Sequence, residues 1–146
     1  WEIFDNKTKA VHYAVWLNFK HRREDEQFSV VIGPENNFAV CNTQMAKDMF
    51  VSVMDDFTDV LKNLSYDELS SIASDYDPLP FWEDIRGMFS TKDNHTLMLI
   101  LDQNIPLEKI IRFELAGREY DENNIWVGYD KAKKVWLESE DNQNQK

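Results

Sequence analysis

The hydrophobic pattern changes period at Thr43, and no other feature of the sequence constrains the fold as strongly. Before that point Val11, Tyr13, Val15, Leu17 and Phe19 alternate with His12, Ala14, Trp16 and Asn18, the two-residue period of a strand with one face more buried. Phe28 to Ile32 and Phe38 to Asn42 follow as β-branched runs around the turn sequence Gly33-Pro34-Glu35-Asn36-Asn37. Trp1 to Phe4 can add an edge strand. Strands joined by short connections predict an antiparallel meander.

After Thr43, Ala46, Phe50, Val53, Met54, Phe57, Val60, Leu61 and Leu64 recur at steps of three and four, the stripe of one amphipathic helix. Ser65-Tyr66-Asp67-Glu68 is a capping box that starts a new helix, ending near the Asp77-Pro78-Leu79-Pro80 break. Pro80 is placed to open a third helix through Phe89. Leu97 to Leu101 is a short continuous apolar run and predicts a strand buried on both faces. Pro106 then starts a helix with the stripe Leu107, Ile110, Ile111, Phe113 and Leu115, and with Gly117 as its C′ residue. Residues 125–138 admit a hairpin, but Asp130-Lys131-Ala132-Lys133-Lys134 favours a helix from Asp130. Residues 139–146 are polar and are expected to fray. No repeat and no long linker divides the chain. The expectation is one α+β domain over residues 1–146: an antiparallel meander from Val11 to Asn42, joined by Leu97 to Leu101, with helices packed on it.

Motifs for chemistry are scarce. The single cysteine, Cys41, excludes an intrachain disulfide framework and, lying in an apolar run, reads as a core thiol. His12, His21 and His95 have no cysteine or second histidine at ligand spacing, and Ser65 is better explained as a cap than as a nucleophile. Gly33, Gly87, Gly117 and Gly128 are isolated, so neither phosphate-loop pattern exists. Asp55, Asp56 and Asp59 lack the D-x-D-x-D-G frame of a calcium loop. Neither catalysis, a metal nor a cofactor is expected. No apolar stretch approaches the ~20 residues of a membrane span. No leader is visible, and the expected location is the cytoplasm.

Charge is more informative. The chain has a formal net charge of −11, which argues against gripping nucleic acid or anionic lipid and favours a basic protein partner. Residues 43–90 hold ten acids against Lys47, Lys62 and Arg86, a net −7, whereas the segments before and after carry −1 and −3. Within that third, Asp75-Tyr76-Asp77-Pro78-Leu79-Pro80-Phe81-Trp82-Glu83-Asp84 interleaves carboxylates with aromatic rings around a stiff proline turn, the composition of a protein interface. Phe81 and Trp82 are adjacent, so on a helix they point about 100° apart and one is expected to face outward. The expected partner-binding residues are Asp55, Asp56, Asp59, Asp75, Tyr76, Asp77, Trp82, Glu83 and Asp84.

Ile105 to Ala116, followed by Tyr120 to Asp130, resembles the small immunity proteins of bacterial contact-dependent growth inhibition and related polymorphic toxin systems. The resemblance carries no catalytic or ligand motif and transfers no binding residue. It implies a cytoplasmic, non-enzymatic inhibitor of a cognate toxin domain with a basic surface, such toxins frequently being nucleases. Charge alone leaves two alternatives open: a nucleic-acid mimic of the anti-restriction or anti-CRISPR type, and an interaction module of another system.

Overall fold

The computed structural model of the protein describes residues 1–138. The chain is α+β and divides between Ser90 and Thr91 into two compact units. The first holds the sheet: β1 (Glu2–Phe4), α1 (Lys7–Lys20), β2 (Phe28–Ile32), β3 (Phe38–Asn42), α2 (Thr43–Asp48), α3 (Tyr66–Ser74) and α4 (Pro80–Ser90). The second holds α5 (Asn94–Asp102), α6 (Leu107–Gly117) and α7 (Tyr129–Lys133), which runs on as a π-helical turn over Lys134–Glu138.

The predicted hairpin stands. β2 and β3 pair antiparallel with Val30 opposite Val40, and Gly33 N–H closes the turn on the Asn37 carbonyl at 2.7 Å. The meander does not. Val11 to Phe19, predicted as a strand, lies within α1, and β1 takes the other edge of β3, giving the antiparallel order β1-β3-β2. Asn6 caps α1 by accepting the Lys9 amide at 3.2 Å, and Ala10, Val11 and Ala14 fall on one buried face at helical spacing. The two-residue alternation from Val11 to Phe19 is thus coincidental. Leu97 to Leu101 is likewise helical, because Asp93 caps α5 through the Thr96 amide at 3.2 Å.

The helix predicted from Ala46 to Leu64 stops at Asp48. Phe50 sits in the left-handed region with φ 57°, where its amide bonds the Lys47 carbonyl and the Val51 amide the Ala46 carbonyl, a helix-ending reversal that ordinarily takes glycine. The following segment serves β2 instead. Val30 exchanges hydrogen bonds with Met54 at 2.9 and 2.8 Å, satisfying edge groups that a continued helix would leave open. Phe57, Val60, Leu61 and Leu64 pack as irregular chain against the core of Phe4, Ala10, Val11, Ala14, Val30, Val40, Leu79 and Trp82. The opposite face of the sheet buries Val31, Ala39 and Cys41 under Ala46 of α2. Burial raises the Cys41 thiol above its ordinary pKa, as befits a core thiol.

The capping box at Ser65 forms as predicted, with Glu68 N–H on Ser65 Oγ at 3.1 Å and Ser65 N–H on Glu68 Oε2 at 2.9 Å. Pro80 opens α4. In the second unit the left-handed residue that ends α6 is Glu119 (φ 67°), two residues beyond the predicted Gly117, which stays helical. The helix preferred over a hairpin near Asp130 is present as α7. The predicted fraying of residues 139–146 lies outside the described residues.

Phe50 gives the first prediction. Its ring is 97% exposed and contributes nothing to the core, while its backbone holds a conformation that disfavours any Cβ. Phe50→Gly should therefore raise stability by about 0.5–1 kcal/mol despite glycine's larger unfolded-state entropy. Denaturant unfolding that shows a loss instead would place the ring in a stabilising contact.

Candidate functional site

Two clefts in the first unit share Asp5, Lys9 and Asp75. α1 supplies Lys9, His12 and Tyr13, because its cap at Asn6 fixes which side of the first turn faces the loop ahead of α4. Lys9 Nζ donates to the Asp77 carbonyl and lies 3.1 Å from Asp75 Oδ2. Asp75 Oδ1 also accepts the Asp77 amide at 3.0 Å. That backbone hydrogen bond, with Lys9 adding to it, holds the Asp75 carboxyl below the usual range. Asp75 is accordingly the keystone of the turn, its charge spent within the chain, whereas Asp77 keeps its carboxylate in solvent and Tyr76 is fully exposed.

The first cleft, about 480 Å³, runs over His12, Glu68, Ile72 and Trp82. Trp82, expected at the surface, is 8% exposed and belongs to the core. Its indole Nε1 donates to His12 Nδ1 at 3.2 Å. An N–H donor fixes the acceptor's state: Nδ1 presents its lone pair, so the neutral ring carries its proton on Nε2. His12 is 2% exposed and that Nε2 has no partner among the described residues. Burial lowers the His12 pKa, with Glu68 opposing in part, so the ring is neutral near pH 7. Nitrogen Nε2 with its proton can donate but offers no lone pair to a cation.

The second cleft, about 740 Å³, has β1 along one wall and Ser74 to Asp77 along the other. Glu2, Asp5, Asp75 and Asp77 converge there, with Tyr76 beside them. Glu2 also accepts from Tyr13, which burial and that carboxylate together push up to about 12.

The structure therefore gathers Asp75, Tyr76 and Asp77 from the predicted surface and adds Glu2, Asp5 and Lys9, which nothing in the local sequence marked. It removes Trp82. Asp55, Asp56 and Asp59 line neither cleft: Asp59 pairs with Lys62 at 3.1 Å, Asp55 lies 3.9 Å from Lys47, and hydrogen bonds from Thr58 hold Asp56 below the ordinary carboxylate range. Glu83 and Asp84 are exposed on α4, also away from both clefts. Phe81 stacks on Trp16 with centroids 5.4 Å apart, so neither adjacent ring of α4 is a free anchor. Beyond α1, His21, Glu24 and Glu26 offer ligand atoms within 4.8 Å of one another, but they lie at the surface and His21 Nδ1 already meets Glu24 at 2.8 Å. No helix among the described residues is long and apolar enough to cross a membrane. The chain matches no protein-family model, no curated protein and no solved structure.

Two outcomes follow from the His12–Trp82 pair. Trp82→Phe keeps most of the ring but orphans Nδ1, and should cost about 1–2 kcal/mol against about 3–5 kcal/mol for Trp82→Ala. Because folding depresses the His12 pKa below the 6.5 of an unperturbed imidazole, the unfolded state binds more protons once pH drops below that value. Stability should be fully present above pH 6.5 and fall as pH is lowered toward 5, and His12→Gln should flatten that slope. Urea midpoints across this interval measure both; an equal slope in His12→Gln would assign the pH dependence to other groups.

Proposed function

We propose that the chain is a non-enzymatic, acidic immunity protein that acts in the cytoplasm, binding and neutralising a cognate toxin domain, a nuclease, by covering its basic active-site cleft. The observation that carries this reading is the convergence of Glu2, Asp5 and Asp77 on one cleft beside the fully exposed ring of Tyr76. A nuclease must hold phosphates with cations, and carboxylates fixed on a rigid turn can occupy those positions. Lys9 and Asp75 hold the turn in place before the partner arrives, which reduces the entropy lost on docking. Tyr76 supplies rigid area for desolvation at the centre. The overall charge of −11 adds long-range attraction to a basic partner, and the resemblance of residues 105–130 to immunity proteins points the same way.

Co-expression with the toxin domain encoded immediately upstream tests the reading: the chain should restore growth. The double variant Tyr76→Ala/Asp77→Lys should bind at least about thirtyfold more weakly, ~2 kcal/mol, with unchanged unfolding, since neither side chain holds the fold. Raising salt should slow association more than it speeds dissociation, because screening over ~8–10 Å acts on encounter. Growth restored equally by the double variant would move the interface away from this cleft. Growth never restored would end the immunity reading.

A further inference from the structure

The register of the sheet decides which backbone groups of β1 face away from it. Val30 bonds Met54 on the outer side of β2, so Val30 and Val40 form a pair without mutual hydrogen bonds. The N–H and C=O of Val40 must then point toward β1, making Glu2–Val40 and Phe4–Phe38 the hydrogen-bonded pairs. The alternation leaves Ile3, opposite Ala39, with its N–H and C=O directed to the open edge, and no other backbone group among the described residues bonds them. Side-chain directions follow from the same parity. Glu2 and Phe4 project to the face covered by α1, where Glu2 meets Tyr13 and Phe4 lies 5.3 Å from the Tyr13 ring. Ile3 projects to the other face and is 56% exposed.

A strand seated on this edge would bond Ile3 through one residue, whose side chain lies beside Ile3. Its two neighbours would point to the α1 face, toward Glu2, Asp5 and Asp77. The first position suits an apolar side chain and the flanking two suit cations. We infer that the open edge of β1 receives an extended basic–apolar–basic segment of the partner, adding it to the sheet as a fourth strand against the carboxylates of the neighbouring cleft. This deepens the proposed function and rests on its basic partner, while adding a backbone-directed mode of binding.

The test uses the full chain, labelled with 15N, and a capped nine-residue peptide alternating lysine and valine. Titration should slow hydrogen exchange of the Ile3 amide by about tenfold or more at saturation and shift Tyr76 and Asp77. The same peptide with every valine N-methylated keeps its charge but cannot pair, and should bind at least about tenfold more weakly. A glutamate-for-lysine peptide should not bind. Ile3→Pro removes a donor that the sheet does not use, a substitution that edge strands tolerate; it should keep its melting temperature yet lose binding by a similar factor. Equal affinity for the N-methylated peptide, or Ile3 exchange unchanged at saturation, overturns strand addition. Concentration-dependent protection of Ile3 without peptide would overturn it too, by assigning the edge to a second copy of the chain. In the growth assay, full neutralisation by Ile3→Pro alongside failure of Tyr76→Ala/Asp77→Lys would refute the strand and leave the basic partner standing.

Discussion

Ala10 and Ala14 have no exposed surface, and their small side chains let α1 lie close on all three strands, β2, β3 and β1. That seating determines what the first unit can present. Because α1 is fixed in rotation by those two residues and Val11, Lys9 must leave toward the turn ahead of α4, His12 toward Trp82 and Tyr13 toward Phe4 and Glu2. Each of these three contacts ties a different stretch of chain to the helix. A larger residue at position 10 or 14 would lift α1 and loosen all three together, which distinguishes these alanines from ordinary helix formers.

What could be read from the sequence was whatever depended on neighbours. The Ser65 capping box, the Gly33 to Asn37 turn and Pro80 at the head of α4 are each set by a few adjacent residues, and each is found in place. The errors came where periodicity competed with a cap. Asn6 and Asp93 cap helices whose following residues show a strand-like apolar pattern, and at α1 only the four-residue spacing of Ala10 and Ala14 matches the helix. Between Val53 and Leu64 the spacing was sound but its cause was not: these side chains reach the core from irregular chain because Val30 needs a partner for its outward groups. Such a demand arises only once β2 has taken its place in the sheet.

The candidate site shows the same division. Asp75 to Asp77 stood out through local composition, whereas Glu2, Asp5 and Lys9 lie some seventy positions away in sequence and join the cleft only through the fold. Trp82 illustrates why composition alone misleads. Adjacent rings on a helix must diverge, and one of them faces solvent only where the helix has a single buried direction. Here α4 begins between two partners: Phe81 turns to Trp16, and Trp82 turns to His12. The ring that is left outside is Tyr76, held ahead of the proline turn where no helix face competes for it.

The carboxylates around β1 bear on association in two opposite ways. An unpaired strand edge invites any other edge, including that of an identical chain, and proteins commonly blunt such edges by keeping them short or by charging them. β1 does both: it is three residues long, with Glu2 inside it and Asp5 just beyond. Two copies meeting edge to edge would bring these acids against each other, a repulsion that the solvent-facing Asp77 strengthens, because Lys9 is already engaged by Asp75. The same charges turn attractive when the incoming strand is cationic. Selectivity at this edge thus needs no shape that rejects particular partners. The sign of the approaching side chains would be enough to separate a cationic strand from a second copy, and the pleat of the sheet sets which of those side chains the carboxylates would meet.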